Sequence, residues 1–500
     1  MNKVLKGLVA VVSTAAMAIA GFAGAASATA AGTNYDITVP STDTHTYSVY
    51  QVFTGDLSNG TLSNIKAGQN FNKNNTASKS AADAAAEIAQ GTYANNTEKL
   101  AAITPYVDLT GTAFGEVSAN TALSAPAGYY LLKDKDAVTG DDAATLFIVQ
   151  VNGPVTVNRK ADKPTFEKKV KDVNDSTGDK SDWQDSADYD VNDKVPFQLT
   201  ATLPTNEADF AAYKTYKLVF HDQQSAGLTF NKDSVVVKYG DQTLGTDSYT
   251  LETPTTDNDT FDITITDAKT VKDADGSAIT VAAGGKFTVE YTSTLNENAV
   301  IGAAGNPNEA SLEFSNNPNV GGEGNTGKTP TDKVIVFTYQ LDINKTFNGG
   351  TPDDNDLPEF TLYKFDSATN NYTTNVGKVD ITKTADGKYT ASFKRVDDGK
   401  YKLVETKTPA GFNTAADTTF EITADHDVES DNPQLTVLKI NTTAGNTTTG
   451  TVTADVVNQK GSNLPSTGGM GTTVLYAAGA AIVLVAAFGI AFAVRRRNAR

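Results

Sequence analysis

The chemistry open to this chain is narrowed first by what it lacks. Cysteine is absent, which removes disulfides, thiolate metal sites and thiol nucleophiles together. Its histidines, His45, His221 and His426, stand far apart in sequence. A zinc enzyme or a Ser-His-Asp hydrolase would have little to work with. What remains are lysines, carboxamides and carboxylates written where core residues belong. Lys345 alternates in phase with Leu341 and Ile343, Asn458 with Ala454 and Val456, and Glu405 with Tyr401 and Leu403. Upstream, Lys168 is in phase with Phe166 and Val170, Asn316 with Leu312 and Phe314, and Asp222 with Leu218 and Phe220. Asp222 is preferred to Asp190, which lies between Tyr189 and Val191 on the opposite face. If these runs are strands, the polar groups point into cores, which is costly unless they meet one another. Burial also disfavours charge, lowering a lysine pKa and raising that of a carboxylic acid by up to ~3–5 units when complete.

The elements that must hold these groups read as strands. Phe287, Val289 and Tyr291 alternate with Lys286, Thr288, Glu290 and Thr292, and Lys217, Val219 and His221 alternate with Leu218, Phe220 and Asp222. Turn clusters such as Asp386-Gly387 and Asp397-Asp398-Gly399 bound such runs, which predicts β-sandwiches. The helical stretch worth naming is Ser80 to Gln90, continuing from Thr97 to Ile103. A length of 500 residues suits about three domains. Linkers at Arg159–Pro164 and at Pro318–Asp332, rich in glycine, divide the chain. The expected divisions are residues 1–30, 31–160, 161–330, 331–460 and 461–500. The net charge of -18 gives no electrostatic reason to bind nucleic acid or an anionic membrane.

The two ends carry segments of another kind. Lys3 and Lys6 precede an apolar stretch from Leu8 to Ala20, and Ala26-Ser27-Ala28 and Ala28-Thr29-Ala30 fit an A-x-A cleavage site. This predicts a secretory signal peptide over residues 1–30. Near the other end, Leu464-Pro465-Ser466-Thr467-Gly468 precedes an uncharged run from Val474 to Val494 and then Arg495, Arg496, Arg497 and Arg500. The run is long enough for a transmembrane helix, and the arginines would hold the tail on the cytoplasmic side.

That arrangement resembles the cell-wall sorting signal of sortase substrates, in which L-P-x-T-G is cut between Thr and Gly and the Thr acyl group passes to an amine. The resemblance puts the cut at Thr467–Gly468. Residues 163–317 and 333–460 further resemble the isopeptide-forming domains of Gram-positive major pilins. Tyr401-Lys402-Leu403-Val404-Glu405-Thr406-Lys407-Thr408-Pro409-Ala410-Gly411-Phe412 is similar to their E-box, departing at Thr408 and Phe412. The family fold implied is mainly all-β: tandem immunoglobulin-like, Cna-type sandwiches, the first domain with some helix, and a C-terminal transmembrane helix.

The chemistry implied is self-contained. A buried Lys amine attacks an Asn carboxamide, ammonia leaves, and a nearby acid assists. The resemblance assigns Lys168, Asn316 and the acid Asp222 to the middle domain, and Lys345, Asn458 and the acid Glu405 to the last. It also implies a lysine that receives the next subunit's Thr. Val155-Thr156-Val157-Asn158-Arg159-Lys160 lies where the family has W-x-x-x-V-x-V-Y-P-K, with Val155, Val157 and Lys160 agreeing. Lys160 is therefore the candidate, and Lys163 the nearest competitor.

The function expected is a structural subunit of a sortase-joined pilus, anchored to peptidoglycan and not an enzyme. Its partners would be pilus-specific and housekeeping sortases, further copies of itself, minor or tip pilins, and host surface ligands. No cofactor or metal is expected; the acidic run Asp353-Asp354-Asn355-Asp356 lacks EF-hand spacing and reads as a solvated turn. The competing class is a wall-anchored adhesin that does not polymerise and needs no linking lysine. A wall-attached hydrolase finds no catalytic carboxylate pair or nucleophile motif.

Overall fold

The computed structural model describes residues 33–461, apart from 59–60, 76–77, 93–95, 136–141, 144–145, 158–161, 254, 256–258 and 317–324. The expected signal peptide, the L-P-x-T-G segment with its apolar run, and Lys160 lie outside the described residues. Among the described residues no helix is long and apolar enough to cross a membrane.

Period-two patterning does what it predicts: the chain is mainly β-strand, folded into sandwiches in tandem. Residues before 158 form a three-stranded and a five-stranded sheet. Against the five-stranded sheet pack helices Ala81–Gln90, capped at its start by the Ser80 side chain, and Asn96–Ile103. A further short helix, Glu207–Ala212, is one the sequence reading did not anticipate.

The middle sandwich faces a five-stranded sheet against a seven-stranded one. In the five-stranded sheet, Thr165–Val170 is the edge strand beside Lys194–Thr202, with Lys168 opposite Leu199. In the facing sheet, Leu218–Gln224 runs antiparallel to Asn306–Ser315, with Asp222 opposite Ala310. Strand Leu218–Gln224 is not simply half-buried: Val219 and His221 are buried as well as Leu218, Phe220 and Asp222. The last sandwich pairs a four-stranded with a six-stranded sheet. There Tyr339–Asn348 and Thr451–Gln459 run parallel, with Lys345 opposite Val456 and Phe347 opposite Asn458.

The boundary expected at residues 330 and 331 moves. Strand Asp332–Phe337 pairs with Asn306–Ser315 and Ser186–Asp188, completing the middle sheet. Its alternate faces serve two cores. Val334 and Val336 join the middle core, while Ile335 and Phe337 join that of the last sandwich. The run Val334-Ile335-Val336-Phe337 is apolar throughout because both of its faces are covered.

Candidate functional site

In the middle sandwich, Lys168, Asp222 and Asn316 are all 0% exposed. Lys168 projects from one sheet and Asp222 from the other, and Lys168 Nζ donates to Asp222 Oδ2 at 2.5 Å. The ammonium also lies 5.4 Å from the Phe197 ring centroid and 5.5 Å from that of Tyr291. Burial pulls the Lys168 pKa below its ordinary value, with Asp222 opposing. Asn316 follows the end of strand Asn306–Ser315, which lies against strand Thr165–Val170. Neither atom of its carboxamide has a hydrogen-bond partner among the described residues. A buried amide left in that state costs free energy on the order of 1–3 kcal/mol per group. Asp190, the acid set aside, sits elsewhere, accepting from Lys364 Nζ at 2.7 Å.

The last sandwich shows the complementary contact. Lys345 is 1% exposed, Asn458 0% and Glu405 6%. Asn458 Nδ2 donates to both Glu405 oxygens, at 3.0 and 2.9 Å, while its Oδ1 has no partner among the described residues. Lys345 Nζ donates to the backbone carbonyls of Thr346 and Val456 at 2.7 and 3.3 Å and lies 4.3 Å from the Phe347 ring centroid. Parallel register sets Lys345 and Asn458 on adjacent strands and the same face, a diagonal pair within reach of long side chains. Burial lowers the Lys345 pKa to about 8, with Glu405 opposing. Part of the amine is therefore uncharged near neutral pH.

Sequence reasoning passed over two features. Tyr291 was read as a core aromatic, yet its hydroxyl donates to Asp222 Oδ2 at 2.6 Å and accepts from Lys168 Nζ at 2.9 Å. Lys364, which shares the parity of Phe360 and Leu362, is also buried. It reaches Asp190, Asp397 and Asp175 at 2.7, 3.0 and 3.4 Å, bridging the middle and last sandwiches. Further carboxylates gather at this junction, with Asp172, Asp188 and His426 close enough together to hold a cation. Lys163, the competitor to Lys160, is exposed. The acidic run Asp353 to Asp356 is a turn in which Asp353 accepts from the Asn355 backbone and Asp354 pairs with Lys383.

Residues 354–434 match the SpaA family, described as a prealbumin-like fold domain, and residues 456–499 match the LPXTG cell wall anchor motif. The trypsin-resistant surface T6 protein of Streptococcus pyogenes serotype M6 is 27% identical over 279 residues. That alignment covers 53% of this chain and 46% of the relative, so the chain spans about half the length of the curated relative it matches. Among solved structures, the T6 backbone pilin of serotype M6 S. pyogenes aligns with a TM-score of 0.51 at 17% identity. It covers 85% of this chain and 98% of that one, and it has a modular three-domain structure. The full-length major pilin SpaD of Corynebacterium diphtheriae aligns at 20% identity with a TM-score of 0.47, over 86% of this chain and 97% of that one.

Proposed function

We propose that this chain, which has the fold of a backbone pilin and carries a cell wall anchor motif, is the shaft subunit of a covalently polymerised surface pilus. Thr467 of one subunit is joined by a sortase to Lys160 of the next, and the base of the polymer is joined to peptidoglycan. The mature chain divides into three domains, with the middle one extending to Phe337. The role is structural; the only bonds the chain makes are its own.

Those bonds are Lys168–Asn316 and Lys345–Asn458. In each, the uncharged amine attacks the carboxamide carbon, a secondary amide forms, and ammonia leaves. Asp222 or Glu405 moves the protons and polarises the carbonyl. Fixing the reactants side by side in a dry core replaces what an external catalyst would supply. The observation that carries the reading is a buried lysine, a buried acid and a buried carboxamide with unpartnered polar atoms, repeated in two sandwiches that precede a wall anchor. Cross-links of this kind stand in for the disulfides that a chain without cysteine cannot make.

The test is an immunoblot of wall extracts boiled in detergent, comparing native protein with Lys160→Ala. The expected result is a high-mass ladder that collapses to monomer in the variant. A ladder that persists moves the linkage to another lysine, Lys163 first. A lone monomer band in the native strain rules out the shaft.

A further inference from the structure

The middle site holds a group for which the lysine, acid and carboxamide scheme has no role. Tyr291 stands on strand Lys286–Leu295, and its hydroxyl oxygen makes three hydrogen bonds, with the Gln224 side chain close by. It donates to Asp222 Oδ2 at 2.6 Å and accepts from Lys168 Nζ at 2.9 Å and from Asn308 Nδ2 at 2.9 Å. A phenol offers one hydrogen and two lone pairs, so this hydroxyl is saturated and its orientation fixed. The ring is fixed too, stacked on Phe197 at 5.3 Å and edge-on to Phe261 at 4.9 Å between centroids. Among the described residues, the titratable groups touching the hydroxyl are Lys168, from the same sheet, and Asp222, from the facing one. Asp332 completes the electrostatic surroundings, its carboxylate accepting from the Lys168 backbone at 2.7 Å.

We propose that Tyr291 is a catalytic residue of the Lys168–Asn316 cross-link, relaying protons between the lysine nitrogen and Asp222, and that Asn308 is the residue that positions it. The inference rests on the isopeptide reading given above. Lys168 first passes a proton to Asp222, and the amine turns its lone pair to Asn316 while one N–H stays on the Tyr291 oxygen. As Nζ closes on Cγ its direct contact with Asp222 lengthens. Asp222 gives this first proton to Asn316 Nδ2 and is a carboxylate again. The adduct nitrogen then loses a proton to the Tyr291 oxygen as the phenol hydrogen passes to Asp222. The Cγ–Nδ2 bond breaks, and Asp222 hands this second proton to the departing nitrogen. One hydrogen remains on the new amide nitrogen, the others leave as ammonium, and Asp222 ends as carboxylate. The surroundings in the last sandwich differ: Lys345 Nζ donates to the Thr346 and Val456 carbonyls.

The experiment follows bond formation in the full chain, made by cell-free translation and sampled over time. Cross-linked Lys168–Asn316 and Lys345–Asn458 peptides are quantified by mass spectrometry after digestion, at several pH values. Tyr291→Phe keeps the ring and removes the relay. It should slow the middle bond roughly tenfold to hundredfold, in the range of general acid–base effects, and leave the Lys345–Asn458 bond at its native rate. The slowing should be greater at low pH, where solvent is the poorer proton acceptor. Asn308→Ala, which keeps the hydroxyl but frees it, should slow the same bond by a smaller factor. It decides the matter if Tyr291→Phe unfolds the middle sandwich. Equal rates in all three proteins, or slowing by one constant factor at every pH, overturn the relay. Absence of the Lys168–Asn316 peptide from the native chain would overturn the isopeptide reading itself.

Discussion

Lys345 and Lys364 are each 1% exposed, yet their protons are held in opposite ways. For Lys345, burial prevails over the single carboxylate acting on it, and the pKa falls to about 8. For Lys364, burial is outweighed by Asp397, Asp190 and Asp175, and the pKa is raised. A lysine kept as ammonium has no lone pair to attack with. Lys364 therefore remains an ion-pair partner although carboxyl groups surround it, and intact-mass measurement can check this. Native protein should be lighter than its sequence by one ammonia for each of the two proposed bonds. Lys345→Met should restore one of these, whereas Lys364→Met should leave the deficit unchanged. Lys364→Met should instead lower the unfolding free energy by about 3–5 kcal/mol, because it strands buried carboxylates without their cation. A cross-linked peptide containing Lys364 would contradict the electrostatic argument.

At the scale of elements, the decisive piece is strand Asp332–Phe337, whose two faces complete two cores. The middle and last sandwiches are thereby fixed to each other, and the contact is tight enough to require glycine. Gly302 has φ +87°, and a Cβ there would lie 2.6 Å from the Gly450 nitrogen, itself backbone of the last sandwich. Gly302→Val should cost about 1–3 kcal/mol and open the junction to protease between the two sandwiches. Limited proteolysis beside a thermal melt would show it, and a variant cut no faster than native protein would mean that the junction yields. Much of this was legible in the sequence. Period-two parity placed Lys168, Asp222, Lys345, Glu405 and Asn458 on faces that the structure buries. The same parity could not separate Lys345 from Lys364, because the difference is made first by Asp397, at a turn of the same sandwich, and then by Asp190 and Asp175, brought from another. Nor could it give Tyr291 its hydroxyl partners, which come from the same and the facing sheets. The stretch before Asp332 does not part the two sandwiches, since Thr326–Lys328 and Asp332–Phe337 both pair with Asn306–Ser315. The boundary was misplaced because the apolar run that follows was not read as a strand with both faces covered.

For the whole molecule, the junction between the two later sandwiches is where charge and stability meet. Burial and neighbouring carboxylates push Asp172 and Asp193 up to about 7 and Asp398 up to about 8. Burial opposes protonation of His426, but Asp188, Asp172 and Asp398 together raise its pKa. All four groups bind protons more tightly in the folded chain than in the unfolded one, where an Asp titrates near ~3.9. For the carboxyls, that stabilisation is complete below about pH 4 and is lost as pH rises through about 7 to 8; His426 acts in the same direction. Glu313 pulls the other way, held at about 2 chiefly by His221, but its contribution fades only below about pH 4.5. Stability should therefore fall from about pH 5.5 to about pH 8, by several kcal/mol, instead of peaking near neutrality. Melting curves in chelator-treated buffer across that range would measure the slope, and Asp398→Asn should flatten it by removing one of the titrating groups. A midpoint that climbs over the same interval would mean that the junction carboxylates are ionised in the folded chain. Lys364 and His426 would then be balancing a far larger negative charge.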